Sequence, residues 1–181
     1  MKYLPAIALI LGMAIPAFAD DIPAPIHEVI DVTTDFWSVK MPKQSIFSEE
    51  RLQRLYSKDF VTLYRAAMKH PIYENGETPF DFDVIVQAQD SCTPENIDMH
   101  LFKTSGAVRE YEVSFARLGC FDGGDPKERT TIYIDIVKQD GRDVIDDIVT
   151  YEDSGKADST KVLMANIAEG QPDRLYEPPR R

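Results

Sequence analysis

The chain is short of the residue types that most enzyme chemistry draws on. In 181 residues it has three histidines, two cysteines and one tryptophan. His27, His70 and His100 stand singly with no recognisable serine or cysteine partner, and there is no G-x-S-x-G elbow, so nucleophilic catalysis has no signature here. Two thiols without clustered histidines make a poor zinc site, which usually takes four ligands, so no metal and no cofactor is expected. Positive charge is scarce too: 20 Lys and Arg stand against 31 Asp and Glu, a formal net charge of −11. Nucleic acid and anionic membrane would each require clustered cations to neutralise phosphate, and the balance argues against both as partners. A membrane-spanning run of about 20 apolar residues is missing, and so is any internal repeat.

What is present begins with "MKYLPAIALILGMAIPAFA". One lysine precedes an apolar run from Leu4 to Ile15, and Ala17-Phe18-Ala19 has the small-x-small form cut by signal peptidase. The reading is a secretory signal over 1–19, a single domain over 20–170 and a loose, proline-rich tail over 171–181, in a protein exported to the periplasm or beyond. Removing the signal takes away Lys2 alone among the charged residues, which moves the net charge to −12. Export to an oxidising compartment makes Cys92 and Cys120 a disulfide pair rather than metal ligands. The acidity suits a soluble surface, or attraction of a cationic ligand or basic protein.

The apolar period is helical in the first half. In "DDIPAPIHEVIDVTTDFWSVK" Ile26, Val29, Ile30, Thr33 and Trp37 paint one stripe behind prolines suited to a helix start. Ser48 is placed to cap a second helix with Glu49 and Glu50 in its first turn. Leu52, Leu55, Tyr56, Phe60, Leu63, Tyr64 and Ala67 continue the stripe, and "YSKD" allows a break at Ser57. Beyond Ile97 the period becomes two: Tyr111, Val113 and Phe115 alternate with Glu110, Glu112 and Ser114. "RTTIYIDIVKQDGRDVIDDIVTY" reads as two strands joined through Asp140-Gly141, a favoured hairpin turn. Helices followed by at least four antiparallel strands argue an α+β fold, with "STKVLMANIAEG" a short helix after them.

Three places stand out as candidate sites. A two-residue turn at Asp140-Gly141 would set Val137 opposite Val144, Asp135 opposite Asp146 and Tyr133 opposite Ile148. Facing carboxylates are unfavourable unless water, a cation or a shifted pKa relieves them. Asp135, Asp146, Tyr133 and His100 are therefore the ligand-binding candidates, with a solvent-facing pair of aspartates as the plainer alternative. Asp81, Asp83 and Asp90 in "PFDFDVIVQAQDSC" lack the glycine and distal glutamate of a calcium loop. Turn-forming bonds to nearby amides account for them, which makes the stretch a connector pinned by Cys92. Arg109 and Arg117 read as cross-strand charge partners.

"YSKDFVTLY", "FDFDVIVQAQD" and "DGRDVIDDI", in that order, resemble a family of bacterial secreted domains of unknown function within the nuclear-transport-factor-2-like (cystatin-like) superfamily. The likeness spans about residues 26 to 152. It implies a cone of helices against a strongly curved antiparallel sheet, with a pocket or a partner-binding face inside the curl. In such relatives the last hairpin often reads Gly-Gly-Trp-Lys-Ile-Asp-Asp-Ile. Gly141, Ile145, Asp146, Asp147 and Ile148 match, and Asp143 stands where the tryptophan would be. The superfamily hosts isomerases, dehydratases, binding modules and adaptors. Three functions follow as expectations: a non-enzymatic binding module for a small ligand or basic exported protein, with a homodimer through the sheet possible; a small lyase or isomerase using Asp135 or Asp146 with Tyr133 or His100; or an inhibitor or immunity protein for a basic exported partner.

Overall fold

A computed structural model describes residues 21–39, 43–74, 76–152 and 154–171. The expected signal segment and nearly all of the expected tail lie outside the described residues.

Helix α1 (Ala24–Phe36) starts behind Pro23 with Pro25 in its first turn, where a missing N–H leaves nothing unsatisfied. Ile26, Val29, Ile30 and Thr33 are buried along the stripe their spacing predicts, and Val32 joins them. Ser48 accepts from the Arg51 amide at the start of α2 (Glu49–Leu55), whose first turn carries Glu49 and Glu50. The chain breaks at Tyr56 and Ser57. Ser57 Oγ accepts from the Phe60 amide at 3.1 Å and so caps α3 (Lys58–Ala67), while its own N–H donates to the Ile145 carbonyl at 2.8 Å. The break is thereby stitched to the sheet, and it turns the Tyr56 and Phe60 rings onto each other at 4.7 Å.

Strands β1 (Glu95–Ser105), β2 (Val108–Ala116), β3 (Arg129–Gln139), β4 (Arg142–Tyr151) and β5 (Ala157–Ser159) form one antiparallel meander in chain order. Tyr111, Val113 and Phe115 on β2, Ile132, Ile134 and Ile136 on β3, and Ile145 and Ile148 on β4 turn toward the helices and form the core with them. Helix α4 (Thr160–Ala168) follows β5, packs along α3 and adds Met164 and Ile167 to the same core. The fold is α+β, and the described helices pack on one face of the sheet and leave the other face uncovered by them.

Two expectations need correction. The strong curl is not found. Sheet curvature is made by bulges and glycine kinks; the irregularities lie in the β1–β2 and β3–β4 pairings, while β2 and β3 at the centre pair over eight consecutive positions without a shift. The β3–β4 register also differs from a simple two-residue hairpin. Asp140 and Gly141 have φ of +53° and +77°, as the turn requires, and Val137 faces Val144. A bulge beyond Ile136 then places Asp135 opposite Asp147, Ile134 opposite Ile148 and Tyr133 opposite Val149. Asp146 is the extra residue of the bulge, and the expected Asp135–Asp146 pair does not form.

Cys92 and Cys120 are disulfide-bonded, with Cα atoms 5.7 Å apart. The bond joins the segment entering β1 to the segment leaving β2, next to a backbone bond from the Cys92 amide to the Arg117 carbonyl at 3.0 Å. It clamps the open end of the first hairpin.

Candidate functional site

The pleat brings the uncovered face together from alternate residues of four strands. One row runs His100, Glu112, Tyr133, Val149; its neighbour runs Lys103, Glu110, Asp135, Asp147. Three carboxylates thus lie side by side across β2, β3 and β4. The outer two have charged or polar partners. Glu110, only 4 % exposed, accepts from the Tyr151 hydroxyl at 2.7 Å through Oε1, while its buried Oε2 makes no hydrogen bond among the described residues and has the Lys103 ammonium 3.0 Å away as an ion pair. Asp147 accepts from Ser159 Oγ, from the Lys161 amide at 3.0 Å and from the Ile148 amide at 2.9 Å, so it anchors the start of α4. The middle carboxylate is not held in this way. Asp135 Oδ1 is shut off from solvent without a hydrogen-bond partner among the described residues. Burial, then the charges of Glu110 and Asp147, pushes the Asp135 carboxyl up to about 6. Burial raises Asp147 as well, against the bonds it accepts.

Aromatic rings lie across this row. Phe102, 47 % exposed, meets Tyr133 at 5.0 Å between centroids, and Tyr133 meets Tyr151 edge-on at 4.8 Å. Lys103 crosses the face from β1, donates to the Tyr151 hydroxyl at 3.0 Å and sits over both the Phe102 and Tyr151 rings. Phe102 reaches this position because β1 shifts register between Leu101 and Lys103.

Of the four ligand-binding candidates, the structure brings Tyr133, Asp135 and His100 onto one face in adjacent rows. His100 lies at the exposed margin with Asp98 3.6 Å away. Asp146 is not with them; its carboxylate meets Lys161 Nζ at 3.2 Å, and Lys161 also pairs with Asp59. Arg109 pairs with Asp143, the residue at the tryptophan position of the resembled family, whereas Arg117 donates to Thr130 Oγ1 at 2.8 Å rather than to an acid. Glu110 and Tyr151 are members of the face that strand periodicity did not single out. Glu110 reads as a wet-face residue, and only the three-dimensional row buries it. Among the described residues no group of three or more His, Cys, Asp or Glu is arranged to hold a metal ion.

A second feature lies on the helix side. The stretch from Phe80 to Gln89 folds on itself: Asp83 N–H donates to the Ala88 carbonyl at 3.0 Å, and Asp83 Oδ1 accepts from the Ile85 amide at 2.8 Å. These are the turn-forming bonds expected of it. Asp83 Oδ2 in addition accepts from Trp37 Nε1 at 2.8 Å, tying the turn to the end of α1. Between them and the segment before α2 opens a cleft of about 280 Å³. None of Asp135, Asp146, Tyr133 or His100 lines it.

No protein-family model matches the chain, and no curated protein matches it. Among solved structures it is similar to a chain of the type VI native effector-immunity complex Tae3-Tai3 from Ralstonia pickettii. That likeness has 20% identity and a TM-score of 0.45, and covers 75% of this chain and 94% of that one.

Proposed function

We propose that the protein is an exported, non-enzymatic interaction module that takes a basic protein partner on the uncovered face of its sheet. The observation that carries this reading is the combination on that face of the exposed Phe102 ring and the half-buried Tyr133 ring with the carboxylates of Asp98, Glu112 and Asp135. Aromatic side chains supply contact area, and carboxylates beside them select lysine and arginine, whose heads also stack on the rings. The same acidity disfavours two copies pairing through this face, since like charges would meet. An inhibitor or immunity role toward a basic exported protein is the form of binding that such a face serves best, because complementary charge speeds association. The disulfide suits an oxidising compartment, and no described helix is long and apolar enough to cross a membrane. The likeness to secreted nuclear-transport-factor-2-like domains belongs to this reading too, supported by the order of helices before a meander sheet, though without a deep cone.

The lyase or isomerase reading is weaker. It needs Asp135 or Asp146 inside an enclosed apolar pocket, whereas Asp135 lies on the sheet face and the cleft contains neither.

The test is affinity capture from the source's exported fraction with wild type, Glu112→Lys, Tyr133→Ala and Asp31→Lys, the last on the exposed side of α1. A basic protein retained by wild type and Asp31→Lys, released by salt and lost from the two face variants, is the expected result. Retention unchanged by the face variants, or of acidic proteins, would refute the proposal.

A further inference from the structure

We propose that the cleft beside α1 is a second binding site, for a small organic cation with an aromatic or aliphatic body. Its walls are aromatic: Phe36 at the end of α1 and Trp37 just after it, Phe47 from the segment before α2, and Tyr73, Phe80 and Phe82 from the loop that follows α3. At about 280 Å³ it falls just below the usual range of ligand sites, which starts at about 300 Å³, and so suits only a small molecule. Among the described residues its lining contains Asp81 and Asp83 and no lysine, arginine or histidine, and the ammonium nearest to it, Lys43, lies outside the lining beside Phe36.

The two acids are not equivalent. Asp83 is committed to Trp37 and to its own turn. Asp81 accepts from Gln89 Nε2 at 3.3 Å through one oxygen, and the other has no hydrogen bond among the described residues. Thr33, 2 % exposed, belongs to the lining, and its Oγ1 has no hydrogen-bond partner among the described residues. A buried hydroxyl without a partner is costly and calls for a donor or acceptor. One wall ring also has a cation beside it already: the Lys43 ammonium sits 5.6 Å from the centre of Phe36, held by the carbonyls of Phe36 and Ser38. Aromatic faces that attract an ammonium, a carboxylate with capacity to spare and a lone hydroxyl together describe a site for an amine. The site is separate from the uncovered sheet face, and neither depends on the other.

Trp37 is the chain's single tryptophan, so its emission reports the cleft directly. The experiment titrates purified protein at neutral pH with 2-phenylethylamine, 2-phenylethanol and phenylacetate, three probes alike in size and unlike in charge. The amine should give a saturable change in Trp37 emission, bind at least about tenfold more tightly than the alcohol, and lose that advantage in Asp81→Asn and at high salt. Thr33→Val should weaken the amine while leaving the melting temperature at or above that of wild type. Should Asp81→Asn fail to fold, the salt series on wild type and the Thr33→Val titration decide the matter. The proposal is overturned if no probe saturates, if the alcohol or phenylacetate binds as tightly as the amine, or if the amine's advantage survives both salt and Asp81→Asn.

Discussion

Asp135→Asn should stabilise the protein, and only above a certain pH. The Asp135 carboxyl lies between Glu110 and Asp147, has one oxygen without a hydrogen-bond partner among the described residues, and is raised from an ordinary 3.8 to about 6. Such a carboxyl keeps its proton in the fold over a range where the unfolded chain has lost it. Wild-type stability therefore falls as pH rises from about 4 to about 6 and this contribution is level beyond. The shift corresponds to about 3 kcal/mol, and water reaching one side of the group reduces it to about 1 to 2 kcal/mol. Asparagine keeps the shape, carries no charge and can donate to either neighbour. Urea unfolding at pH 4 and pH 8 measures the difference. Near pH 4 the two proteins should match closely, and at pH 8 the variant's midpoint should lie higher by about 0.5 to 1 M for a slope near 2 kcal/mol/M. An advantage of the same size at both pH values, or a loss at pH 8, would refute the reasoning. A carboxylate kept in place against stability is what a recognition face is expected to show.

Further outcomes follow from other contacts. Replacing both Cys92 and Cys120 by alanine should cost about 3 to 4 kcal/mol in urea unfolding, because the bond closes a loop with a sequence separation of 28. Ser57→Ala should cost about 1 to 2 kcal/mol by removing the cap of α3 at a buried position, readable as a lowered melting temperature. Asp83→Ala removes the acceptor of the Trp37 indole and of the turn amides, and should cost about 2 to 3 kcal/mol while shifting Trp37 emission.

Local rules carried most of the fold. The Tyr111, Val113, Phe115 alternation marked the buried side of β2, the serine ahead of Lys58 marked the helix break, and Asp140-Gly141 marked the turn, because each depends on residues within a few positions of one another. The bulge at Asp146 was not legible in this way. A two-residue turn governs register only near itself, and what holds the shifted strand is distant: Ser159 and the Lys161 amide on Asp147, and the Lys161 side chain on Asp146. For the same reason the face residues Tyr133 and Asp135 could be read from strand periodicity, while Asp146 was misplaced by one position and Glu110 passed for a solvent residue. The aspartates of the stretch from Phe80 to Asp90 read as turn-formers bonded to nearby amides, which holds for Asp83 and Asp90, whereas Asp81 accepts from the Gln89 side chain instead. That the stretch walls a cleft was hidden, since Trp37, Phe47 and Tyr73 come from three separate segments and only tertiary packing assembles them.

The proposed recognition face is tested most directly by zero-length carbodiimide cross-linking of the captured complex, which joins carboxylates to lysines in contact, followed by mass spectrometry. Cross-links from Asp98, Glu112 or Asp135 to lysines of a basic partner are the expected result. Links confined to helix-side acids such as Asp31, Glu49 and Glu50, or no links at all from the sheet face, would contradict it.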